Sequence, residues 1–318
     1  MDIASGPFYN RAVSRPFATT INAATRLCAV VGHPVRHSAS PAMHNAAFAA
    51  LGMDWRYFAF DVRPERLREA LSGAASMNFI GLNLTVPHKL MALEMVDAVD
   101  DSAKMWGAVN TIRFEGQDSA GAWRPLREFE DGAPEKIRSH GFNTDADAIT
   151  RSLHEDLGVQ IAGAKVLLMG AGGAGRTAAL KLAAENVGEL HLVNRTAARA
   201  EALRASIREL YPAVPVSIGY PKGAVDLALN ATSLGLQPSD EAPWDAREFS
   251  LSRVAAVYDM VYRPAETALL KSARAAGCRV ANGLGMLLHQ GAAALELWTG
   301  RTAPIDVMRE ALQRNVYG

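Results

Sequence analysis

Lys165-Val166-Leu167-Leu168-Met169-Gly170-Ala171-Gly172-Gly173-Ala174-Gly175 decides the architecture of this chain. A short apolar run closed by glycine reads as a buried strand. The residues that follow, Arg176 to Asn186, read as a helix, and Glu189 to Val193 as the next strand. Gly170, Gly172 and Gly175 occupy GxGxxG positions, with Ala171, Gly173 and Ala174 completing the turn. Between a strand and a helix this pattern points to a dinucleotide. Glycines let the backbone approach a pyrophosphate, and the helix N-terminus offers free N–H groups at its positive end. The end of the next strand discriminates the cofactor. An acid there would bond the ribose 2′-hydroxyl of NAD. The chain instead has Asn194, Arg195 and Thr196, with Arg199 nearby. Two guanidiniums and a hydroxyl suit a 2′-phosphate, because Arg grips phosphate through paired N–H bonds. The expected cofactor is therefore NADP, although Arg199 also reads as an ordinary exposed helix residue.

Outward from this turn the pattern keeps alternating. Downstream, Thr196 to Leu210 reads as a helix, Asp226 to Asn230 and Val254 to Asp259 as strands, and Glu266 to Ala276 as a helix. Two further helices span Met286 to Leu297 and Pro304 to Arg314. Upstream, strands are expected at Leu27 to Val31, Trp55 to Val62, Ile80 to Val86 and Gly107 to Phe114. Helices are expected from Ser40 to Gly52, Pro64 to Ala74 and Pro87 to about Val99, and residues 145–157 form a linking helix. Such alternation predicts α/β architecture with a mainly parallel sheet in the N-terminal half. Residues 115–140 interrupt it with charge, glycine and proline, and read as a surface insertion or long hairpin.

The chain has 318 residues, and at roughly 150 residues per domain that suggests about two domains. Lys plus Arg total 33 and Asp plus Glu 33, so a general polyanion or nucleic-acid binder is not expected. Cys28 and Cys278 form no disulfide or zinc framework, no metal site is expected, and the usage fits a reducing cytoplasm. No apolar run reaches the length of a membrane span. Residues 1–26, with three arginines and one acid, are faintly like a transit peptide but read as a flexible extension.

Four segments place polar groups at strand ends or helix starts. Ser38 and Ser40 flank a helix N-terminus that can hold a carboxylate, and Ser40 reads also as its cap. In Gly81 to Lys89, Lys89 falls in the first turn of the helix opened by Pro87. A cation there opposes the dipole, and the field favours proton release. Asn110 lies in Gly107-Ala108-Val109-Asn110-Thr111. Asp145 closes Gly141-Phe142-Asn143-Thr144-Asp145; it reads either as a helix cap or as the partner of Lys89 across a cleft.

In order along the chain, HSASPAMHN (37–45), GLNLTVPHK (81–89), GAVNTI (107–112), GFNTD (141–145), GAGGAG (170–175), NRT (194–196), NATSLG (230–235), YDMVY (258–262) and NGLGMLLHQ (282–290) resemble the shikimate dehydrogenase family, from Leu27 to Leu312 apart from residues 115–140. The resemblance implies an N-terminal substrate domain (27–144), a Rossmann-like NADP domain (145–285), and C-terminal helices (286–318) packing back onto the first. It implies that Ser38 and Ser40 hold the shikimate carboxylate with Tyr262 beside them. Asn83, Thr85, Lys89, Asn110, Asp145 and Gln290 are then on the substrate, with Lys89 as acid/base and Asp145 as its partner. NADP lies on Gly170 to Gly175, with Asn194, Arg195, Thr196 and Arg199 at the adenosine phosphate. Thr232, Met260 and Gly283 are further cofactor contacts, and Asp101 is matched only by its spacing. The implied reaction is reversible NADP-dependent reduction of 3-dehydroshikimate to shikimate, by a monomer or homodimer. Quinate or aminated analogues, or a non-catalytic NADP-binding regulator, are the alternatives. One departure stands out: Ala146-Asp147-Ala148 replaces the family's Gly-x-Gly after NTD.

Overall fold

The structure, a computed structural model, describes residues 21–129, 132, 134–237 and 239–318. Residues 1–20 of the expected N-terminal extension lie outside the described residues.

The first half contains β1 (Arg26–Gly32), α1 (Ser40–Ala50), β2 (Trp55–Asp61), α2 (Leu67–Ser76), β3 (Gly81–Leu84), α3 (His88–Met91), β4 (Ala98–Val99), α4 (Asp101–Trp106), β5 (Thr111–Gln117), β6 (Trp123–Pro125) and β7 (Ile137–Phe142). They form one sheet in the order β2-β1-β3-β5-β7-β4, with β6 beside β5. The strands β2-β1-β3 are parallel, as the sequence leads one to expect. Strand β5 runs antiparallel to β3, β6 and β7, so the sheet is mixed.

Helix α5 (Asp145–Leu157) leads into β8 (Lys165–Met169), α6 (Gly173–Ala184), β9 (Glu189–Val193), α7 (Ala197–Leu210), β10 (Val216–Ile218), β11 (Val225–Asn230), β12 (Val254–Asp259), α8 (Ala268–Ala275) and β13 (Arg279–Asn282). Their order is β10-β9-β8-β11-β12-β13, and every pairing is parallel. This is the doubly wound dinucleotide-binding order, in which ligands bind beyond the carboxyl ends of the strands. Val166, Leu167 and Leu168 of the central strand are fully buried, which is why that strand is continuously apolar rather than alternating.

Helices α9 (Leu284–Thr299) and α10 (Ile305–Tyr317) return to the first half. Leu288, Leu295, Trp298, Met308 and Leu312 belong to the same apolar cluster as Val30, Phe48 and Ile112. The indole N–H of Trp298 donates to the Ile112 carbonyl at 2.9 Å, so this large ring is buried with its one donor satisfied. Among the described residues no helix is long and apolar enough to cross a membrane.

The long helix expected after Pro87 is absent. One turn, α3, is followed by a 3-10 turn at Ala92–Glu94, and the chain then rejoins the sheet as β4. The Asp97 carboxylate draws it there, accepting from Ser139 N and Oγ, both at 2.7 Å. Helix α4 was not anticipated; Asp100 caps it through Ser102 N at 2.9 Å, and Gly107 ends it at φ 64°. The described residues of the 115–140 segment form the long hairpin of the sequence reading, β5 pairing with both β6 and β7. Buried Glu115 accepts from Arg113, from Arg138 at 2.7 Å and from His140 at 3.0 Å. Burial alone would raise its pKa, yet these donors bring it down to about 2.

Candidate active site

Lys89 and Asp145 come together from elements 56 residues apart. Their Nζ and Oδ2 lie 2.7 Å apart, with the two side chains only 14% and 2% exposed. The second carboxylate oxygen accepts from Asn110 Nδ2 at 2.8 Å. Asn110 also donates to Thr144 Oγ1 at 3.0 Å, and its own carbonyl accepts from Thr144 N at 2.7 Å. Asp145 does not cap α5. The Asn143 side chain, one residue before the N-cap Thr144, accepts from the N–H groups of Asp145 and Ala146 at 3.0 and 3.2 Å, which leaves the Asp145 carboxylate free for Lys89. Helix α3 has only 4 residues, so the dipole expected to act on Lys89 is small beside an adjacent carboxylate.

The nucleotide turn follows its fingerprint closely. Gly170 has φ 109°, a conformation that L side chains rarely adopt. A Cβ at Gly175 would lie 2.1 Å from the Gly170 carbonyl oxygen, so helix and strand can approach this closely only with glycine there. Gly172, at the start of α6, faces open space, as a backbone that must admit a pyrophosphate should. Asn194 is used within the protein: its Oδ1 accepts from Ala171 N at 3.0 Å and its Nδ2 donates to the Thr196 carbonyl at 2.8 Å. It therefore pins the glycine turn to the β9 loop. Arg195, Thr196 and Arg199 are exposed, and neither guanidinium has a partner among the described residues. Two unpaired cations beside a glycine-lined helix N-terminus fit a phosphorylated dinucleotide. Thr232, Met260 and Gly283 follow β11, β12 and β13 at the carboxyl edge of the sheet. Thr232 donates to Asn230 Oδ1 at 2.7 Å, and the Met260 backbone packs directly on Gly283. The two halves touch at the chemistry: a Cβ on Gly173 would sit 3.4 Å from Lys89 Cβ.

The family model for the shikimate dehydrogenase substrate binding domain matches residues 30–112, that for shikimate/quinate 5-dehydrogenase residues 152–218, and that for the shikimate 5′-dehydrogenase C-terminal domain residues 283–313. The shikimate dehydrogenase (NADP⁺) of Moorella thermoacetica is 44% identical over 303 residues, covering 92% of this chain and 94% of that protein. The Methanopyrus kandleri shikimate dehydrogenase (NADP⁺) is 40% identical over 302 residues, covering 93% and 97%. The chain belongs to the shikimate dehydrogenase family. A shikimate 5-dehydrogenase of Thermus thermophilus, solved with NADP(H) and shikimate, superposes with a TM-score of 0.73 at 37% identity, covering 91% of this chain and 99% of that one.

Against this shikimate dehydrogenase framework, the remaining candidates fall into two groups. Ser38, Ser40 and Tyr262 meet at the N-terminus of α1. Ser40 is not its cap but its first residue; the Ser38 hydroxyl accepts from Ser40 N at 3.3 Å. The Tyr262 hydroxyl accepts from Ala39 N at 3.4 Å and bonds Ser38, and burial raises its pKa, so it stays neutral. Asn83 lies on the neighbouring strand, accepting from Tyr57 at 2.7 Å and donating to Thr111 Oγ1 at 3.0 Å. Tyr57 in turn bonds Ser40. Thr85 is half-buried between Asn83 and Lys89 in the chain. Gln290 is buried on α9, which packs against both α1 and α5. Asp101 stands apart: its side chain is 95% exposed and is paired with Lys104 at 3.0 Å. Sequence reasoning missed Asn143 and Tyr57. Asn143 precedes the helix in a capping position that was legible in Asn-Thr-Asp. Tyr57 has no motif, and only the sheet brings it beside Ser40.

Proposed function

We propose that this protein catalyses the reversible NADP-dependent interconversion of shikimate and 3-dehydroshikimate at the ring 3-hydroxyl, with reduction as the biosynthetic direction. The observation that carries the reading is the buried Lys89–Asp145 pair, 2.7 Å apart and packed against the first residue of the nucleotide-binding helix. NADPH, when bound, supplies the hydride. Lys89 moves the proton at the substrate oxygen, and Asp145 holds the amine in place. Asn110 fixes the Asp145 carboxylate through its other oxygen. Ser38, Ser40 and Tyr262 hold the substrate carboxylate at the start of α1. Asn83, Thr85 and Gln290 face the ring hydroxyls. Arg195, Thr196 and Arg199 take the 2′-phosphate, and the glycine turn takes the pyrophosphate.

In this reading residues 27–144 bind substrate, 145–285 bind cofactor, and 286–318 return to the first unit. Closure would occur about residues 141–157 and 283–290. The Ala146-Asp147-Ala148 departure adds a tie: Asp147 pairs with Lys181 of the fingerprint helix at 2.7 Å. We place the protein in the cytoplasm, whose reducing conditions suit its two free cysteines, as a monomer or homodimer.

The test is formation of the reduced nicotinamide, NADPH or NADH, by the purified protein, followed by absorbance. Shikimate and quinate are each run with NADP and with NAD. Turnover with shikimate and NADP, at least tenfold above the other pairs, is expected. Turnover confined to quinate or to NAD would overturn the substrate or the 2′-phosphate reading. NADPH binding without any turnover would identify a non-catalytic regulator.

A further inference from the structure

His289 precedes Gln290 on α9, and its side chain is only 4% exposed. Its Nε2 lies 2.9 Å from Oε2 of Glu155 on α5. A carboxylate only accepts, so Nε2 carries the hydrogen and donates; Nδ1 is buried with no hydrogen-bond partner among the described residues. Glu155 is itself anchored. Arg151 Nε donates to its other oxygen at 2.7 Å, and Arg309 of α10 approaches to 3.9 Å.

Successive residues of a helix are set about 100° apart around its axis. His289 faces α5. On the far side of the same turn, a Cβ at Gly291 would run into Met43 and approach His44 of α1. Gln290 lies between these two directions. Its sector lies between α1 and α5, the helices that begin at Ser40 and Asp145, and its amide Nε2 donates to the Leu287 carbonyl of α9 itself at 2.9 Å, so the side chain turns with the helix. Apolar contacts let a helix roll by small angles at little cost, whereas a hydrogen bond is directional; on α9 Trp298 supplies one such bond further along, to Ile112, and His289 supplies the one beside Gln290. A roll of about 15° moves a side-chain tip some 6 Å from the axis by about 1.5 Å, and misplacement by about 1 Å can cost about 100-fold in rate.

We propose that His289 is a positioning residue for the substrate: its hydrogen bond to Glu155 sets the rotation of α9 and thereby aims Gln290 into the cleft between α1 and α5. The inference rests on the reading of Gln290 as a substrate contact.

The test measures shikimate binding to the cofactor-free protein by calorimetry, NADP binding separately, and KM and kcat. It uses His289→Leu, His289→Gln, Glu155→Ala, Gln290→Ala and the His289→Leu/Gln290→Ala double variant. His289→Leu and Glu155→Ala should each weaken shikimate about tenfold, in line with couplings between neighbouring residues, and leave NADP affinity unchanged. KM should rise more than kcat falls. His289→Gln, whose amide reaches about as far as the imidazole Nε2, should restore affinity to within about twofold. In the Gln290→Ala background His289→Leu should cost nothing further, which a merely structural role would not produce. Wild-type affinity in His289→Leu, equal losses for shikimate and NADP, or additive losses in the double variant would each overturn the proposal. If Gln290→Ala binds shikimate normally, the reading of Gln290 falls and the proposal with it. If Gln290→Ala is impaired while both His289→Leu and Glu155→Ala bind normally, only the proposal falls.

Discussion

The glycine turn and the Lys89–Asp145 pair touch, yet they are built by opposite means. The turn is one contiguous run, Gly170 to Gly175, and it presents backbone. The Lys89–Asp145 cluster gathers Lys89, Asn110, Asn143, Thr144 and Asp145 from separate elements and presents side chains. The polar groups differ as well. Around Asp145 both carboxylate oxygens are already bonded within the protein. Around the β9 loop, Arg195 and Arg199 reach solvent with no partner among the described residues. The comparison teaches where specificity is held in advance and where the ligand must complete it. A reaction centre needs its groups fixed before the substrate arrives, because reorganisation during the reaction raises the barrier. A phosphate-binding loop can leave its cations hydrated, because the ligand brings a full counter-charge.

Breaking the Lys89–Asp145 pair should have the largest effect. Lys89→Ala is expected to lower kcat about 10²–10⁴-fold, the usual contribution of a positioned acid/base, while NADP affinity stays within about twofold. Steady-state kinetics and a separate NADP titration check this. A comparable loss of NADP affinity would erase the functional separation between the two regions.

A smaller effect should follow on the nucleotide side. Arg195→Ala is expected to weaken NADP about 10- to 100-fold, the worth of a charge-assisted hydrogen bond. NAD, which lacks the 2′-phosphate, should be little affected, and kcat at saturating NADP should hold. Parallel titrations with the two cofactors decide it; equal losses for both would mean that Arg195 supports the loop instead of reading the phosphate.

The change with the smallest effect on activity sharpens the comparison from inside the first half, where not every buried polar residue serves chemistry. His44 is fully buried, stacked on Tyr57 at 4.2 Å, and neither ring nitrogen has a hydrogen-bond partner among the described residues. Burial lowers its pKa to about 3. The unfolded chain takes up this proton near pH 6.5 and the folded chain does not. Stability is therefore fully present above pH 6.5 and falls as the pH drops towards 3, by up to about 1.4 kcal/mol per pH unit. His44→Phe should remove that slope and cost little at pH 7, because no hydrogen bond is lost. Urea unfolding at pH 7, 5.5 and 4 measures it. An unchanged slope would place the acid sensitivity elsewhere.

Legibility in the sequence followed the range of the interactions involved. Strands Lys165–Met169, Glu189–Val193 and Val254–Asp259, and helix Asp145–Leu157, are observed with the expected bounds. Each is dominated by its own apolar pattern and local punctuation. The segment after Pro87 reads as a helix because its apolar residues have helical spacing, whereas Asp97 accepts from Ser139, 42 residues on, and draws the chain into the sheet. Strands β10 and β13 have only 3 and 4 residues at sheet edges, too short for a periodic signal. The helix starts at Ser40 and Asp145 differ from the sequence reading for a similar reason. Ser, Asn, Thr and Asp compete for the same helix terminus, and only the bonds made by their neighbours settle which one accepts.

The sequence by itself determined the nucleotide turn, the expectation of NADP and the order of motifs that marks the family. All of these rest on backbone conformation or on the chemical type of consecutive residues, and so survive without knowledge of contacts. Only the tertiary structure decided that Asp145 turns to Lys89 instead of capping α5, that Asn194 binds its own loop, and that α9 carries Gln290 between α1 and α5. Those outcomes depend on partners distant in the chain. A buried polar group takes whichever partner the packed fold brings within about 3 Å, because leaving it unpaired costs more than any local preference it expresses.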